Sequence, residues 1–190
     1  MINVVTEATP NPATLKFIPG CPVMSEGTAN FASPDMADHA PLARRLFGID
    51  GVKGVFFGAD FVSVAKSETA DWQTLEPSVT AGIEAHFASG DPVVRPAEFA
   101  GAGSGAGEAD DGDEDGIVRQ IRELLDTRIR PSVALDGGDI VYRGFERGVV
   151  YLSLQGACVG CPSSTATLKM GVENLLKFYV PDVLRVEAID

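Results

Sequence analysis

The chain has 190 residues, 45% of them hydrophobic, with 27 acidic against 15 basic side chains and a net charge of −12. That length allows one large domain or two small ones, and the apolar content is enough for real cores. The acidic balance argues against nucleic acid as a main partner and against an anionic membrane surface, because no basic surplus is left to meet phosphates. No apolar run approaches the roughly 18 residues that span a bilayer. The start, "MINVVTEATPNPATLKF", has neither the basic and apolar regions of a secretory signal nor the Arg-rich character of a transit peptide. Three cysteines, an odd count, do not make a disulfide framework. The expectation is a reducing, cytosolic setting, where a close pair of cysteines is more often metal-binding or catalytic.

In chain order, "NPATLKFIPG" predicts a strand entering a turn at Pro19-Gly20. "HAPLARRLFGI" places Leu42, Leu46 and Ile49 at helical spacing. "GVKGVFFGADFVSVAK" predicts two strands around a Gly-Ala-Asp turn, with Phe56, Phe57 and Phe61 in the core. "DWQTLEPSVTAGIEAHFASG" predicts a helix with Asp71 as N-cap and Gly90 as its stop, interrupted by Pro77 and Gly82. His39 and His86 fall on predicted helices without partners, so packing or surface roles are expected. Cys21 has no second thiol nearby and reads as a buried or incidental cysteine.

The stretch "AGAGSGAGEADDGDEDG" holds no large apolar residue. It cannot offset the entropy of ordering, and its charges repel one another. Seven of the 27 acidic residues and none of the 15 basic ones fall between residues 97 and 115. The division is therefore 1–96, a flexible Gly/acidic linker at 97–115, and 116–190. The fold class expected is α+β, two small mixed domains joined by that linker.

Beyond the linker, Ile117, Ile121, Leu124, Leu125 and Arg128 trace a helical face that Pro131 is expected to end. "DGGDIVYRGFERGVVYLSL" predicts a hairpin: a Gly-Gly turn, strand 140–145, a turn at Arg147-Gly148, and strand 149–154. Asp136 and Asp139 bracket the glycines, and turn geometry accounts for them more simply than metal binding. A second helix opens at Pro162, with Leu168, Val172, Leu175, Leu176 and Tyr179 on one face and Pro181 beyond it. "VLRVEAI" is a last strand. The order is α-β-β-α-β.

Between the hairpin and the second helix lies "QGACVGCP". Cys158 and Cys161 are the candidate ligands. Gly156 and Gly160 let the backbone turn tightly. Ser163, Ser164 and Thr165 follow Pro162, so free amides and the positive helix end face the pair, a setting that lowers thiol pKa and favours negative charge. Three uses compete. A thiol–disulfide redox site fits the spacing, but the element order lacks the expected βαβ setting, and the single Trp72 is in the other domain. Structural zinc wants four ligands, and this domain offers two cysteines and no histidine, so only a zinc shared between chains remains. An iron–sulfur cluster takes four thiolates, so two per chain demand a symmetric dimer.

"LDGGDIVY", "LQGACVGCPSSTATLKMGVENLLKFYVPDV" and the final strand resemble the C-terminal domain of the NifU/Nfu iron–sulfur scaffold family, whose signature is Cys-x-x-Cys-Pro followed by Ser/Thr and a helix. "TEATPNPATLKF" resembles the N-terminal domain that precedes it in many members. The resemblance implies a non-enzymatic carrier that takes a [4Fe-4S] cluster, or a [2Fe-2S] one, and passes it to apo-proteins. It implies Cys158 and Cys161 as ligands, a homodimer when loaded, and upstream cluster donors and apo clients as partners. It also implies a cytoplasmic bacterial member or a mature organellar-matrix one. Lys169 reads as a helix-surface lysine that could balance cluster charge.

Overall fold

The structure is a computed structural model and describes residues 2–95, 114–159 and 162–189. It is mixed α and β and falls into two compact units divided between residues 104 and 105. The expected linker lies outside the described residues except for its last two positions, Glu114 and Asp115, which open a helix.

In the N-terminal unit the strands are β1 (Val5–Ala8), β2 (Thr14–Ile18), β3 (Ala29–Phe31), β4 (Val52–Phe57) and β5 (Val62–Lys66). They form one antiparallel sheet in the order β1-β2-β5-β4-β3. Helices α1 (Pro41–Phe47) and α2 (Trp72–Ser89) pack on it. Phe17, Val55, Phe57, Val62 and Val64 meet Leu42 and Leu46 of α1 and Leu75, Val79 and Ile83 of α2 in one core. Phe56 and Phe61, also buried, pack with each other at 6.0 Å. Gly82 of α2 lies against the end of α1 and the turn after it: a Cβ there would lie 3.4 Å from both Leu46 and Ile49. Asp71 stands at the start of α2, but its side chain makes no capping bond; its carbonyl accepts the Thr74 and Leu75 N–H groups instead. Gly90 ends α2 with φ 73°, the left-handed geometry that glycine adopts without strain.

The histidines differ from expectation in one case. His39 lies in a turn rather than a helix. His86 is on α2 and is 1% exposed, and neither ring nitrogen makes a hydrogen bond of good geometry among the described residues, although the backbone at Asp91 and Pro92 lies close enough to favour the charged ring slightly. Burial, with Arg45 adding to it, holds the imidazole below its ordinary 6.5. The folded unit therefore binds this proton less well than the unfolded chain does. Its stability is full above pH 6.5 and declines as pH falls below that value. His86→Leu is expected to flatten this limb in denaturant titrations; an unchanged limb contradicts the account.

In the C-terminal unit, α3 (Glu114–Leu124) runs through a π-helical turn at Leu125–Ile129 into α4 (Arg130–Leu135). Pro131 therefore does not end the helix. It sits in the first turn of α4, where a missing N–H costs little, and the widened turn before it takes up the ring. Strands β6 (Gly138–Glu146) and β7 (Val149–Gly156) form an antiparallel hairpin closed at Arg147 and Gly148, both with positive φ. Both strands extend past the predicted ends, so that Gly138 faces Gly156. Helix α5 (Pro162–Tyr179) then returns the chain to β8 (Arg185–Ile189), which pairs in parallel with β7. The expectation that this unit lacks a βαβ setting is thus overturned: β7-α5-β8 is one, and parallel pairing requires such a crossover.

The core of this unit joins Ile121 and Leu125 with Ile140, Val150 and Leu152 of the hairpin, Val172 and Leu176 of α5, and Val186 of β8. Glu173 ties α5 to β8: it accepts the Val186 N–H at 3.0 Å and the Lys177 ammonium at 2.6 Å. The Lys177 bond first, then the Val186 bond, hold its carboxyl below the ordinary 4.5. Its stabilisation is present above pH 4.5 and is lost as pH falls through the lower folded value. Glu173→Gln should weaken the unit at neutral pH and flatten its acid limb; superimposable acid limbs in parent and variant would contradict this.

Candidate metal centre

Strand β7 ends at Gly156, whose φ of 64° turns the chain sharply. Cys158 follows two residues later and is 5% exposed. The turn is pinned locally: the Val159 N–H donates to the Gly156 carbonyl at 3.1 Å. It is also pinned from the neighbouring element: the Ala157 N–H donates to the Gly137 carbonyl at 3.2 Å. Gly137, with φ 81°, donates in turn to Ala134 at the end of α4. The cysteine turn thus lies at the carboxyl end of β7, beside the amino end of β6 and ahead of α5.

Gly138 lies directly against Cys158. A Cβ on it would lie 2.6 Å from the Cys158 sulfur, 2.7 Å from the Gln155 carbonyl oxygen and 3.2 Å from the Cys158 nitrogen. Real Cβ atoms do not approach so near, so the close packing of turn on strand requires glycine there.

The residue after it is not explained by turn geometry alone. Asp139 is inside β6, and 3% of it is exposed. Its carboxylate accepts Arg130 Nε and Nη2 at 2.8 Å each, a two-pronged ion pair, and also the Ile140 N–H at 2.8 Å. Asp126 accepts the third contact from Arg130, at 3.0 Å. The Asp139 bonds raise the already high Arg130 pKa, so this cation is permanent. Asp136, by contrast, stands at the carboxyl end of α4.

Of the predicted ligands, the structure places Cys158 as described. Cys161 lies outside the described residues, as do Gly160 and the side chains of Ser163, Ser164 and Thr165. Cys21 is half-buried in the N-terminal unit. Lys169 is half-buried beside Ile140, Leu152 and Val172. Among the described residues no three His, Cys, Asp or Glu side chains come together as metal ligands. Two large apolar side chains are exposed on the segments that meet at the turn: Val159 (51%) and Leu135 (76%). Gly138 and the Arg130–Asp139 pair are not among the site residues expected from the sequence. Their one signal was the second glycine and second aspartate of "LDGGD", which a turn alone would not need.

A family model described as "Scaffold protein Nfu/NifU N terminal" matches residues 4–90, and one described as "NifU-like domain" matches residues 121–187. The chain is 51% identical over 187 residues to the NFU1 iron-sulfur cluster scaffold homolog, mitochondrial, of Homo sapiens, covering 98% of this chain and 71% of that one. It is 50% identical to the protein of the same name from Drosophila erecta, and spans 64% of that relative's length. Among solved structures, a NifU-like protein from Saccharomyces cerevisiae is 23% identical, covers 50% of this chain and 85% of that one, and has a TM-score of 0.45.

Proposed function

This chain belongs to the Nfu/NifU scaffold-protein family, and on that premise we propose that it carries iron–sulfur clusters and delivers them to apo-proteins. The observation that carries the reading is the Cys158 and Cys161 pair, set in "QGACVGCPSS" at the strand-to-helix junction of a domain that matches the NifU-like model. The cluster is cargo rather than a resident cofactor.

Thiolate counting supports a dimer. A four-iron cluster takes four cysteines, and each C-terminal unit contributes two, so the cargo sits between two copies. Val159 and Leu135 would give the second copy an apolar surface to meet. A cluster with four thiolates and a 2+ core is an anion, which suits the positive end of the 18-residue helix α5. A cluster held only at a seam between copies is readily released, as delivery requires. The stretch 97–115 would act as a tether, with the 1–96 domain recognising clients or donors. The site of action is a reducing compartment, a bacterial cytoplasm or an organellar matrix. No described helix is long and apolar enough to cross a membrane.

One observation favours a second reading. The parallel β7-α5-β8 crossover puts the pair in the setting of thiol–disulfide redox proteins. Anaerobic reconstitution with iron and sulfide separates the two. The carrier reading expects a brown protein that restores activity to an apo-protein dependent on a four-iron cluster. Disulfide turnover with no cluster uptake, or uptake of zinc alone, would replace it.

A further inference from the structure

We propose that Gly138, held by the Arg130–Asp139 ion pair, is the positioning element that sets the depth and direction of the Cys158 thiolate. The inference rests on the carrier reading for its consequence, but its geometry stands on this unit alone. Three contacts converge. The space a side chain would need at Gly138 is filled by the Cys158 sulfur and by the backbone of Gln155 and Cys158. The next residue, Asp139, is locked by two 2.8 Å bonds from Arg130 and a third from Ile140. The preceding residue, Gly137, accepts the Ala157 N–H just before the cysteine. The start of β6 is therefore fixed to α4 by charge, and the cysteine turn is fixed to the start of β6 by contact. A thiolate that must meet its counterparts from a second copy needs a defined direction, and supports of this kind orient metal ligands elsewhere.

The test uses the full chain with Cys21 and Cys161 replaced by serine, so that Cys158 is the single thiol. Its alkylation rate by iodoacetamide is read without any cluster. Gly138→Ala is expected to speed alkylation about ten-fold, because the added methyl drives the sulfur out of its cover. Asp139→Asn, which breaks the pair, should act in the same direction. Two controls sit on the same hairpin. Gly144→Ala meets nothing within 4 Å and should leave the rate within about two-fold of the parent. Gly148→Ala strains the far turn against Leu184 and lowers stability, and it too should leave the rate unchanged. With both ligands restored, Gly138→Ala should lower cluster retention about ten-fold. If Gly138→Ala does not fold, Asp139→Asn decides alone. Rates unchanged in Asp139→Asn, or raised equally in Gly148→Ala, would overturn the assignment. Failure of every variant and the parent to load cluster would instead overturn the carrier reading, since alkylation is read apart from loading.

Discussion

Replacing Cys158 or Cys161 by alanine is expected to abolish cluster uptake, while Cys21→Ser is expected to leave it intact. The effect is all-or-none because of the ligand count. On the proposed reading, a dimer built from either variant would offer two thiolates where a cluster takes four. Nothing else among the described residues gathers as a substitute ligand set. Cys158 is 5% exposed and packs against Gly138, so truncating it also leaves a small void, but one worth far less than the lost coordination. Iron and sulfide analysis after anaerobic reconstitution measures this directly. A Cys161→Ala protein that keeps its cluster would remove Cys161 from the ligand set, and a Cys21→Ser protein that loses it would add a ligand from the other unit.

Phe57→Ala should cost the N-terminal unit about 3–5 kcal/mol. Phe57 is fully buried on β4, packs edge-on against Phe31 at 5.2 Å, and lies in the core formed with α1 and α2. A loss of that size is a large fraction of the stability of a domain this small. The same substitution is expected to leave cluster uptake per chain unchanged, since the two compact units have separate cores. Calorimetry would show one transition falling and the other holding. If uptake fell in step with the N-terminal transition, that unit would be part of the binding site.

What could be read in the sequence was whatever announces itself locally. The Arg147-Gly148 turn lies between alternating apolar runs, and it closes β6 and β7 as expected. Gly90 stops α2 because only a residue tolerant of positive φ fits there. What could not be read depends on partners distant in the chain. β1 is largely exposed and shows no clean alternation, and β3 is three residues long, so neither carries a pattern without its neighbour. Pro131 looked like a stop because its ring clashes with a regular α-turn; the π-helical turn before it removes the clash, and no local signal announces such a turn. The βαβ crossover is not legible in the sequence because nothing local to β8 says that it pairs with β7 rather than with β6. At the site, the cysteine spacing was plain. Its support was not, since Asp139 meets Arg130 nine residues away only when α4 packs beside β6, and Gly138 meets Cys158 twenty residues away only once the hairpin has formed.

On the proposed reading, one chain holds half a site. Native mass spectrometry of the anaerobically loaded full chain, read together with iron and sulfide content, decides this. Two chains carrying a single cluster are expected, with about four irons and four sulfides per pair. A loaded monomer, or a dimer holding zinc without sulfide, would contradict it.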